Sequence, residues 1–384
     1  MSAYHQLGHH AESMALEPTL GTFGGVILSP VNYSPAETVP QCERFRRARP
    51  DFDIVFDPQL YVPQTSRGQL QLWPHMPNDL DTHDPSSLRW WAGIVDAVVQ
   101  EATVFGPNAI CSPSALPRAF DDGFYSILVD TGNILAGSLA ATRIRPMLTA
   151  LVGLNDLGRN DRHLQVSSIL SRFDGEDIYL VLADDEAPRY ERTDSGALEG
   201  ALRMIRLLVA AGFRLTVAFT SSEMILWKAA GASHVATGKF FNLRRFAISR
   251  WDDDAATGGR NVSYWFEPSL LAFLREADIR RFIREFQISE WHRANPHSQN
   301  ILGILTGAYA PWLAESWRQF LHWFAACESA ISLGETRPRD LLDLAAERWR
   351  NVQANKLRME EPRNDGSWVR AWDIALGELE RRPE

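Results

Sequence analysis

Residues 24–29 read GGVILS and are followed at once by PVNYSP. Such a short apolar run without polar alternation is typical of a parallel strand covered on both faces. The glycine-rich loop GxGxxG, which binds a dinucleotide after the first strand of an open doubly wound sheet, does not follow it. We therefore favour a closed parallel barrel, with the open doubly wound sheet as the alternative.

Six further runs of this kind follow along the chain, and they alternate with stretches of helical periodicity. The runs lie at residues 54–57, 109–112, 148–153, 178–183, 214–219 and 233–237, and helices are predicted at 86–105, 118–142, 161–173, 195–211 and 221–230. Repeated strand–helix units imply a parallel α/β sheet. Seven strands are one short of a TIM-type (β/α)8 barrel, and the run 263–266 (SYWF) is the candidate for the eighth.

The pattern changes after Arg250, where a polar loop at 252–259 (DDDAATGG) precedes a helical region. Helices are predicted there at 268–286, 311–333, 341–357 and 367–379. We predict an α/β protein with a (β/α) barrel over residues 20–250 and a helical C-terminal region over residues 260–384.

The segment 62–84 has no periodicity and is rich in proline. A loop of this length inside a compact domain is usually functional. Trp73 and His75 give the segment an apolar tip on which a substrate could stack. The segment is therefore predicted to be a lid or wedge beside the barrel mouth, and an inert surface crossing is the alternative.

The composition, with 45% hydrophobic and 23% charged residues, is that of a globular protein. No apolar run approaches the roughly 18 residues of a membrane span, and the first 17 residues lack the apolar core of a signal peptide. The three cysteines, Cys42, Cys111 and Cys327, are far apart and suggest neither a zinc cluster nor a disulfide framework. We expect a cytoplasmic protein without a membrane partner, a metal or a cofactor.

The residues that follow the strands of a parallel barrel meet at its carboxyl face, where barrel enzymes place their active sites. This rule converts the strand list into a list of candidate site residues. The catalytic candidates are Asp57, Asp156, Asp184 and Lys239, and the substrate-binding candidates are Asn32, Gln59, Ser112, Asn155, Asp185, Glu223, Trp73, Arg244 and Arg245. Helix capping and salt bridging are the alternative roles for several of them.

Two strand ends carry a resemblance to a known family. They are Asp57-Pro58-Gln59 and the stretch GKFFNLRR at 238–245. Through these positions, residues 20–250 resemble the barrel superfamily of the tRNA-guanine transglycosylases and their DNA-directed relatives. Those enzymes hold a base with an aspartate after an early strand and carry a nucleophilic aspartate after a late strand. The chain lacks the glycines after Asp57, the late aspartate and the family's Cys/His zinc cluster. The resemblance therefore implies excision or binding of a base rather than base exchange.

The leading hypothesis is an enzyme that acts on the N-glycosidic bond of a nucleobase in DNA or RNA, a chemistry that the resemblance links to conflict with phages over modified bases. The base would enter the barrel mouth flipped from its stack. Asp57, with Asn32 and Gln59, would bind its polar edge. Asp156 or Asp184 would stabilise positive charge on the sugar or activate water. The flanking phosphates would be held by the cations after the seventh run, Lys239, Arg244 and Arg245.

Two alternatives belong to other classes of function. A lyase or aldolase could use Lys239 to form a Schiff base with a small carbonyl substrate, provided that the lysine is desolvated. A barrel without catalytic activity could instead serve as a subunit that binds a partner.

Overall fold

The computed structural model describes residues 2–77, 85–251, 262–307 and 310–382. Eight parallel strands close into a barrel in the order of the sequence, which confirms the predicted TIM-type α/β fold. The strands are β1 Ser2–Gln6, β2 Gly25–Leu28, β3 Asp53–Phe56, β4 Ala109–Cys111, β5 Arg145–Gly153, β6 Asp177–Ala183, β7 Arg214–Val217 and β8 His234–Thr237. The seven runs identified in the sequence form β2 to β8.

The eighth strand lies at the beginning of the chain, and its predicted position at 263–266 is wrong. β1 pairs with both β2 and β8, so that Tyr4 lies opposite Gly25 on one side and Ala236 on the other. Trp265–Glu267 (β9) instead pairs antiparallel with Ala272–Leu274 (β10) in a separate two-stranded sheet. The sequence SAYHQ of β1 contains three polar residues, and it therefore lacks the apolar run that marks the other strands.

Helices follow most of the barrel strands. They are α1 Glu12–Ala15, α2 Pro35–Ala48, α3 Leu88–Phe105, α4 Asp122–Leu139, α5 Leu154–Leu157, α6 Arg162–Leu170, α7 Ser195–Ala210 and α8 Met224–Ala229. The sequence pattern did not indicate α2, which is largely polar and contains Pro40. Its beginning is fixed by a capping box, in which Ser34 and Glu37 bond to each other's backbone N–H groups.

The C-terminal region contains the helices α9 Glu276–Glu285, α10 Pro296–Thr306, α11 Leu313–Ser332, α12 Pro338–Ala354 and α13 Ser367–Arg381. The predicted helix at 268–286 is shorter than expected because residues 272–274 form β10. α11 packs against β1 and α8. The boundary between barrel and helical region at residues 250–260 stays a prediction, although the first barrel strand precedes residue 20.

Buried contacts attach this region to the barrel. Lys228 on α8 and Glu328 on α11 form an ion pair at 2.9 Å, and both side chains are almost fully buried. The Trp372 indole N–H donates to the backbone oxygen of Arg192 at 2.9 Å. Buried apolar residues of both regions belong to one hydrophobic core. The C-terminal tryptophans Trp265, Trp323 and Trp372 are thus packing residues.

An ionic layer joins the amino ends of four barrel strands. Arg145 lies 2.5 Å from the Asp53 carboxylate, and Arg214 lies 2.8 Å from Asp177. The Tyr4 hydroxyl donates to Asp53 at 2.6 Å. These contacts neutralise the charges at the amino end of the barrel and join its strands there, which contributes to stability.

Candidate active site at the barrel mouth

A cavity of about 320 Å³ opens at the carboxyl face of the barrel. We call it the mouth cavity. It lies between the segments that follow β4, β5, β6 and β8, and its polar lining residues are Asn155, Asp156, Arg159, Asp184 and Asp185. Four of these five were predicted as site residues from their positions after strands. The structure therefore brings three carboxylates into one concave site.

Asp156 lies in the short helix α5 directly after β5. Its Oδ2 accepts hydrogen bonds from Arg162 Nε at 2.8 Å and from the Tyr125 hydroxyl at 3.2 Å. Arg159 approaches its Oδ1 at 3.4 Å, but the Arg159 side chain is 78% exposed. The carboxylate is therefore held in one orientation by a partly buried arginine, while Arg159 remains accessible at the rim of the cavity.

Asp184 follows β6 and belongs to a buried ionic network. Arg192 donates to Asp184 at 2.6 Å and to Glu223 at 3.0 Å. Arg245 lies 3.4 Å from Glu191 and 3.8 Å from Glu223. Burial raises the pKa of Glu191 to about 7, and the negative charge of Glu223 adds to this effect. Glu223 and Arg245 are thus placed inside this network and do not line the mouth cavity.

Asp185 and Asn155 are the accessible polar groups of the mouth cavity. Both are exposed. Within the described ranges the Asp185 carboxylate has neither a hydrogen-bond partner nor an ion-pair partner, in contrast to Asp156 and Asp184. It can therefore exchange a proton with a bound molecule without breaking an existing contact.

Asp57 does not line the mouth cavity. It is only 2% exposed and accepts hydrogen bonds from the Gln59 backbone N–H at 3.0 Å, from Tyr61 at 3.0 Å and from Tyr179 at 3.3 Å. Burial raises its pKa to about 6, while these hydrogen bonds and the positive charge of Arg250 act in the opposite direction. Its catalytic role stays a prediction.

Four aromatic rings connect Asp57 to the mouth cavity. Tyr61, which bonds to Asp57, has its ring 5.0 Å from Phe246 and 5.1 Å from Trp251, and Phe219 lies 5.4 Å from Phe246. All four rings are buried, and Phe246 also lines the cavity. In this aromatic cluster, Phe246 is the ring that lines the mouth cavity and Tyr61 is the ring that bonds to Asp57.

Three other predicted residues make local contacts. Ser112 Oγ accepts from the Thr149 N–H at 2.9 Å and thereby joins the end of β4 to β5. Asn32 donates to Ser29 Oγ at 2.6 Å. Gln59 Oε1 accepts from Ser29 Oγ at 3.5 Å. Their proposed contacts with a substrate stay predictions.

The two residues of the segment after β3 that were predicted to stack on a substrate are not accessible. Trp73 is buried, donates to the Tyr33 backbone oxygen at 3.0 Å and stacks on Phe56 with ring centroids 5.1 Å apart. His75 is also buried, bonds to the Pro58 oxygen at 2.9 Å and has its pKa lowered by burial to about 4. The expectation of a stackable tip is wrong because both rings pack into the barrel wall. Residues 78–84 of the predicted lid lie outside the described residues.

A second cavity, of about 490 Å³, lies between the segments that follow β6 and β8 and the helix α11. We call it the side cavity. Its lining includes three cations and four aromatic residues, namely Arg189, Lys239, Arg244, Phe240, Phe241, Tyr264 and Trp317. Lys239 and Arg244 were predicted to act together with Arg245. The structure separates them, because Arg245 belongs to the ionic network.

Several site residues were not found from the sequence. Arg159 and Arg162 follow Asp156 by three and six residues, but α5 ends at Leu157 and α6 begins at Arg162, so no single helix relates them to Asp156. Arg192 lies eight residues after Asp184 in an irregular loop, and Trp317 reaches the side cavity from α11. No spacing rule connects either of them to its site.

The grouping of side chains that bind metals and the apolarity of the helices bear on metal and membrane binding. Across the described ranges, no group of three or more His, Cys, Asp or Glu side chains is placed to hold a metal ion. In the same part of the chain, none of the helices is long and apolar enough to cross a membrane.

The chain was also compared with known proteins. No family model matches it, and no curated protein does. Among solved structures it is similar to a fungal β-1,4-galactanase, with 12% identity, a TM-score of 0.38, and coverage of 62% of this chain and 89% of the other. It is also similar to an L-ribulose 3-epimerase, with 10% identity, a TM-score of 0.37, and coverage of 94% of this chain and 99% of the other. A third similar structure is an O-GlcNAc hydrolase of Thermobaculum terrenum, with 11% identity, a TM-score of 0.38, and coverage of 99% of this chain and 95% of the other. Values this low assign neither a family nor an activity to the chain.

Proposed function

We propose that the protein is an enzyme that cleaves the N-glycosidic bond of a nucleobase in the mouth cavity. The observation that carries the proposal is that Asp156, Asp184 and Asp185 line one cavity at the carboxyl face. These residues follow β5 and β6, which are adjacent in the barrel. Barrel enzymes place their chemistry at this face, and glycosidic-bond cleavage requires carboxylates on either side of the sugar.

The three carboxylates have different partners and therefore suit different roles. Asp156 and Asp184 are each fixed by a buried or partly buried arginine. Fixed negative charge stabilises the positive charge that develops on the sugar as the bond to the base breaks. Asp185 is unpaired within the described residues and accessible, so it is the group that accepts a proton from water. The water oxygen bonds to the anomeric carbon, the carbon–nitrogen bond breaks, and the proton that Asp185 took from water is passed on to the departing base nitrogen.

Other lining residues of the mouth cavity support a nucleobase as the substrate. Phe120 and Phe246 line it and offer aromatic surface on which a base can stack. Asn155 and Arg159 supply amide and guanidinium donors at its rim, groups that bind base edges and phosphates. The volume of about 320 Å³ falls within the range of about 300 to 1,000 Å³ for small-molecule sites.

The proposal is tested by incubating the purified protein with unmodified and base-modified DNA, RNA and nucleosides, and by measuring free base and abasic sites. We expect Asp185→Asn to lower the rate by about 100-fold or more, since it removes the proton acceptor. Asp130→Asn is the matched control, because Asp130 is exposed on α4 away from both cavities. Release of sugar from aryl glycosides alone would retain a glycosidic-bond enzyme and eliminate the nucleobase. Release from none of these substrates would eliminate the proposal.

One observation favours a second candidate, Schiff-base chemistry at Lys239. The lysine is 5% exposed and lines the side cavity, and burial lowers its pKa to about 8, with the charge of Arg318 adding to the effect. A lysine with a lowered pKa has more of the neutral amine that attacks a carbonyl. Borohydride reduction with small aldehydes and keto acids should then trap an adduct on Lys239, and Lys239→Arg should give none. Absence of any adduct in the wild-type protein would remove this candidate.

A further inference from the structure

The side cavity contains two buried cations that have no ion pair with an acid among the residues that the structure describes. Lys239 and Arg244 are 5% and 3% exposed. The Lys239 ammonium donates to the His10 backbone oxygen at 3.4 Å, and Arg244 donates to the backbone oxygens of Gly238 at 3.0 Å and of Lys239 at 2.9 Å. Carbonyl oxygens accept hydrogen bonds but carry no net charge. Positive charge therefore remains buried without compensation, which is unfavourable unless an anion arrives.

Three other buried cations in the described part of the chain are paired with acids, whereas the buried Arg250 donates to Ser29 Oγ at 3.1 Å and forms no ion pair there. Arg192, Lys228 and Arg245 each lie within 4 Å of a glutamate or aspartate carboxylate. Within the described part of the chain, no carboxylate lies at this distance from Lys239 or Arg244, and none lines the side cavity. Burial lowers the pKa of Arg244 to about 9, while the negative charge of Glu191, which lies beyond ion-pair distance, acts in the opposite direction.

Aromatic rings accompany each of these cations. The Lys239 ammonium lies 4.8 Å from the ring centroids of both Phe240 and Trp317. The Arg244 guanidinium lies 5.1 Å from Phe241, whose ring contacts that of Tyr264 at 5.3 Å. All four rings line the cavity and are only partly buried. They therefore offer apolar faces to a planar ligand beside the two cations.

The third cation, Arg189, is exposed at the edge of the cavity. Arg189 donates to the Tyr190 hydroxyl at 2.7 Å and lies 3.8 Å from the Glu361 carboxylate. A guanidinium presents several donors in a fixed plane, which suits an anion with several oxygens. Two guanidinium groups and one ammonium group at one cavity favour phosphate over a monoanionic carboxylate.

We propose that the side cavity binds a nucleoside monophosphate, either free or at the 5′ end of a strand, with the phosphate between Lys239, Arg244 and Arg189 and the base against the aromatic rings. The cavity volume of about 490 Å³ accommodates a ligand of this size. The site shares no lining residue with the mouth cavity. The proposal therefore goes beyond the proposed glycosidic activity and does not depend on it.

The experiment is calorimetric titration of the full chain with adenosine monophosphate, adenosine, inorganic phosphate and benzoate. We expect the monophosphate to bind at least about 10-fold more tightly than the other three, since it alone joins a phosphate to a ring. Lys239→Met should weaken its binding by about 10- to 100-fold, which is the effect of losing one charge-assisted hydrogen bond. Lys239→Arg should retain most of the affinity, because it keeps the positive charge.

Lys356→Met is the matched control, since Lys356 is exposed outside both cavities. Arg189→Met on the surface and Trp317→Ala provide independent variants if Lys239→Met does not fold, and both should weaken binding. A 5′-phosphorylated oligonucleotide that binds more tightly than its unphosphorylated form and more tightly than the free monophosphate identifies a strand end as the source. No binding of either phosphate ligand, equal binding of benzoate, or unchanged binding in all three cavity variants would overturn the proposal. The base-release assay can fail without affecting this result.

Discussion

The two cavities use charge in opposite ways, although the loop between β6 and α7 contributes to both. In the mouth cavity, Asp156 and Asp184 are neutralised by arginines of the protein itself. In the side cavity, Lys239 and Arg244 contact backbone carbonyl oxygens and aromatic rings, and within the described residues neither forms an ion pair. A charge that is already paired is held in place and can act on a developing opposite charge. An unpaired buried charge beside a cavity can instead be paired by an anionic ligand, as we propose for the side cavity.

The largest change in stability is expected at the paired charges beside the mouth cavity. Arg192→Met leaves Asp184 and Glu223 without their shared partner, and both carboxylates are almost fully buried. Loss of one partner from a buried pair costs about 3 to 5 kcal/mol. We expect a decrease of this size in the free energy of unfolding, measured by urea denaturation. Arg159→Met, at an exposed side chain, should cost about 1 kcal/mol or less. Equal losses in the two variants would show that the network is not a buried one.

The next effect concerns Asp57, which bonds to Tyr61 of the aromatic cluster and lines neither cavity. Burial raises its pKa from 3.8 to about 6. Between these values the folded protein binds a proton that the unfolded chain has released, so stability falls as the pH rises through the window. Relative to Asp57→Asn, the wild-type protein should lose on the order of 3 kcal/mol of stability from about pH 4 to about pH 6. Parallel pH profiles of the two proteins would contradict the burial of this carboxyl group.

A smaller change in stability is expected at Lys239 in the side cavity. Lys239→Met removes a buried charge and keeps an apolar side chain of similar length. We expect it to raise stability at pH 7 by about 1 to 3 kcal/mol. The lowered pKa of Lys239 means that the folded protein binds fewer protons than the unfolded chain between about pH 8 and pH 10.5. The wild-type protein should therefore gain stability through this range and approach the variant. A destabilised variant at all pH values would indicate that Lys239 is already paired.

The sequence was most informative where local pattern decides structure. Apolar runs identified seven barrel strands, and their ends located the carboxylates of the mouth cavity. β1 was missed because Ser2, His5 and Gln6 give it no apolar signal, although Gln6 is buried and bonds to the Phe219 N–H inside the barrel. Burial depends on contacts between distant segments, so the sequence did not show that Trp73 is packed into the wall.

The site itself was predicted in part for the same reason. The rule on strand ends selects residues by position and contains no information about their partners. It therefore grouped Asp57, Asp184 and Lys239. In the structure, Asp57 bonds to Tyr61 of the aromatic cluster, Asp184 lines the mouth cavity and Lys239 lines the side cavity. Partners such as Arg192 come from irregular loops, where no periodicity indicates the direction of a side chain.

We propose that bond cleavage takes place among the carboxylates of the mouth cavity. The most direct measurement is the rate of free-base release from nucleosides and nucleic acids by the wild-type protein, Asp185→Asn and Lys239→Met, each verified to be folded. We expect the wild-type protein to release free base and Asp185→Asn to do so about 100-fold or more slowly. Lys239→Met should still cleave an unphosphorylated nucleoside. A wild-type protein that releases no base, or a loss confined to Lys239→Met, would contradict the proposal.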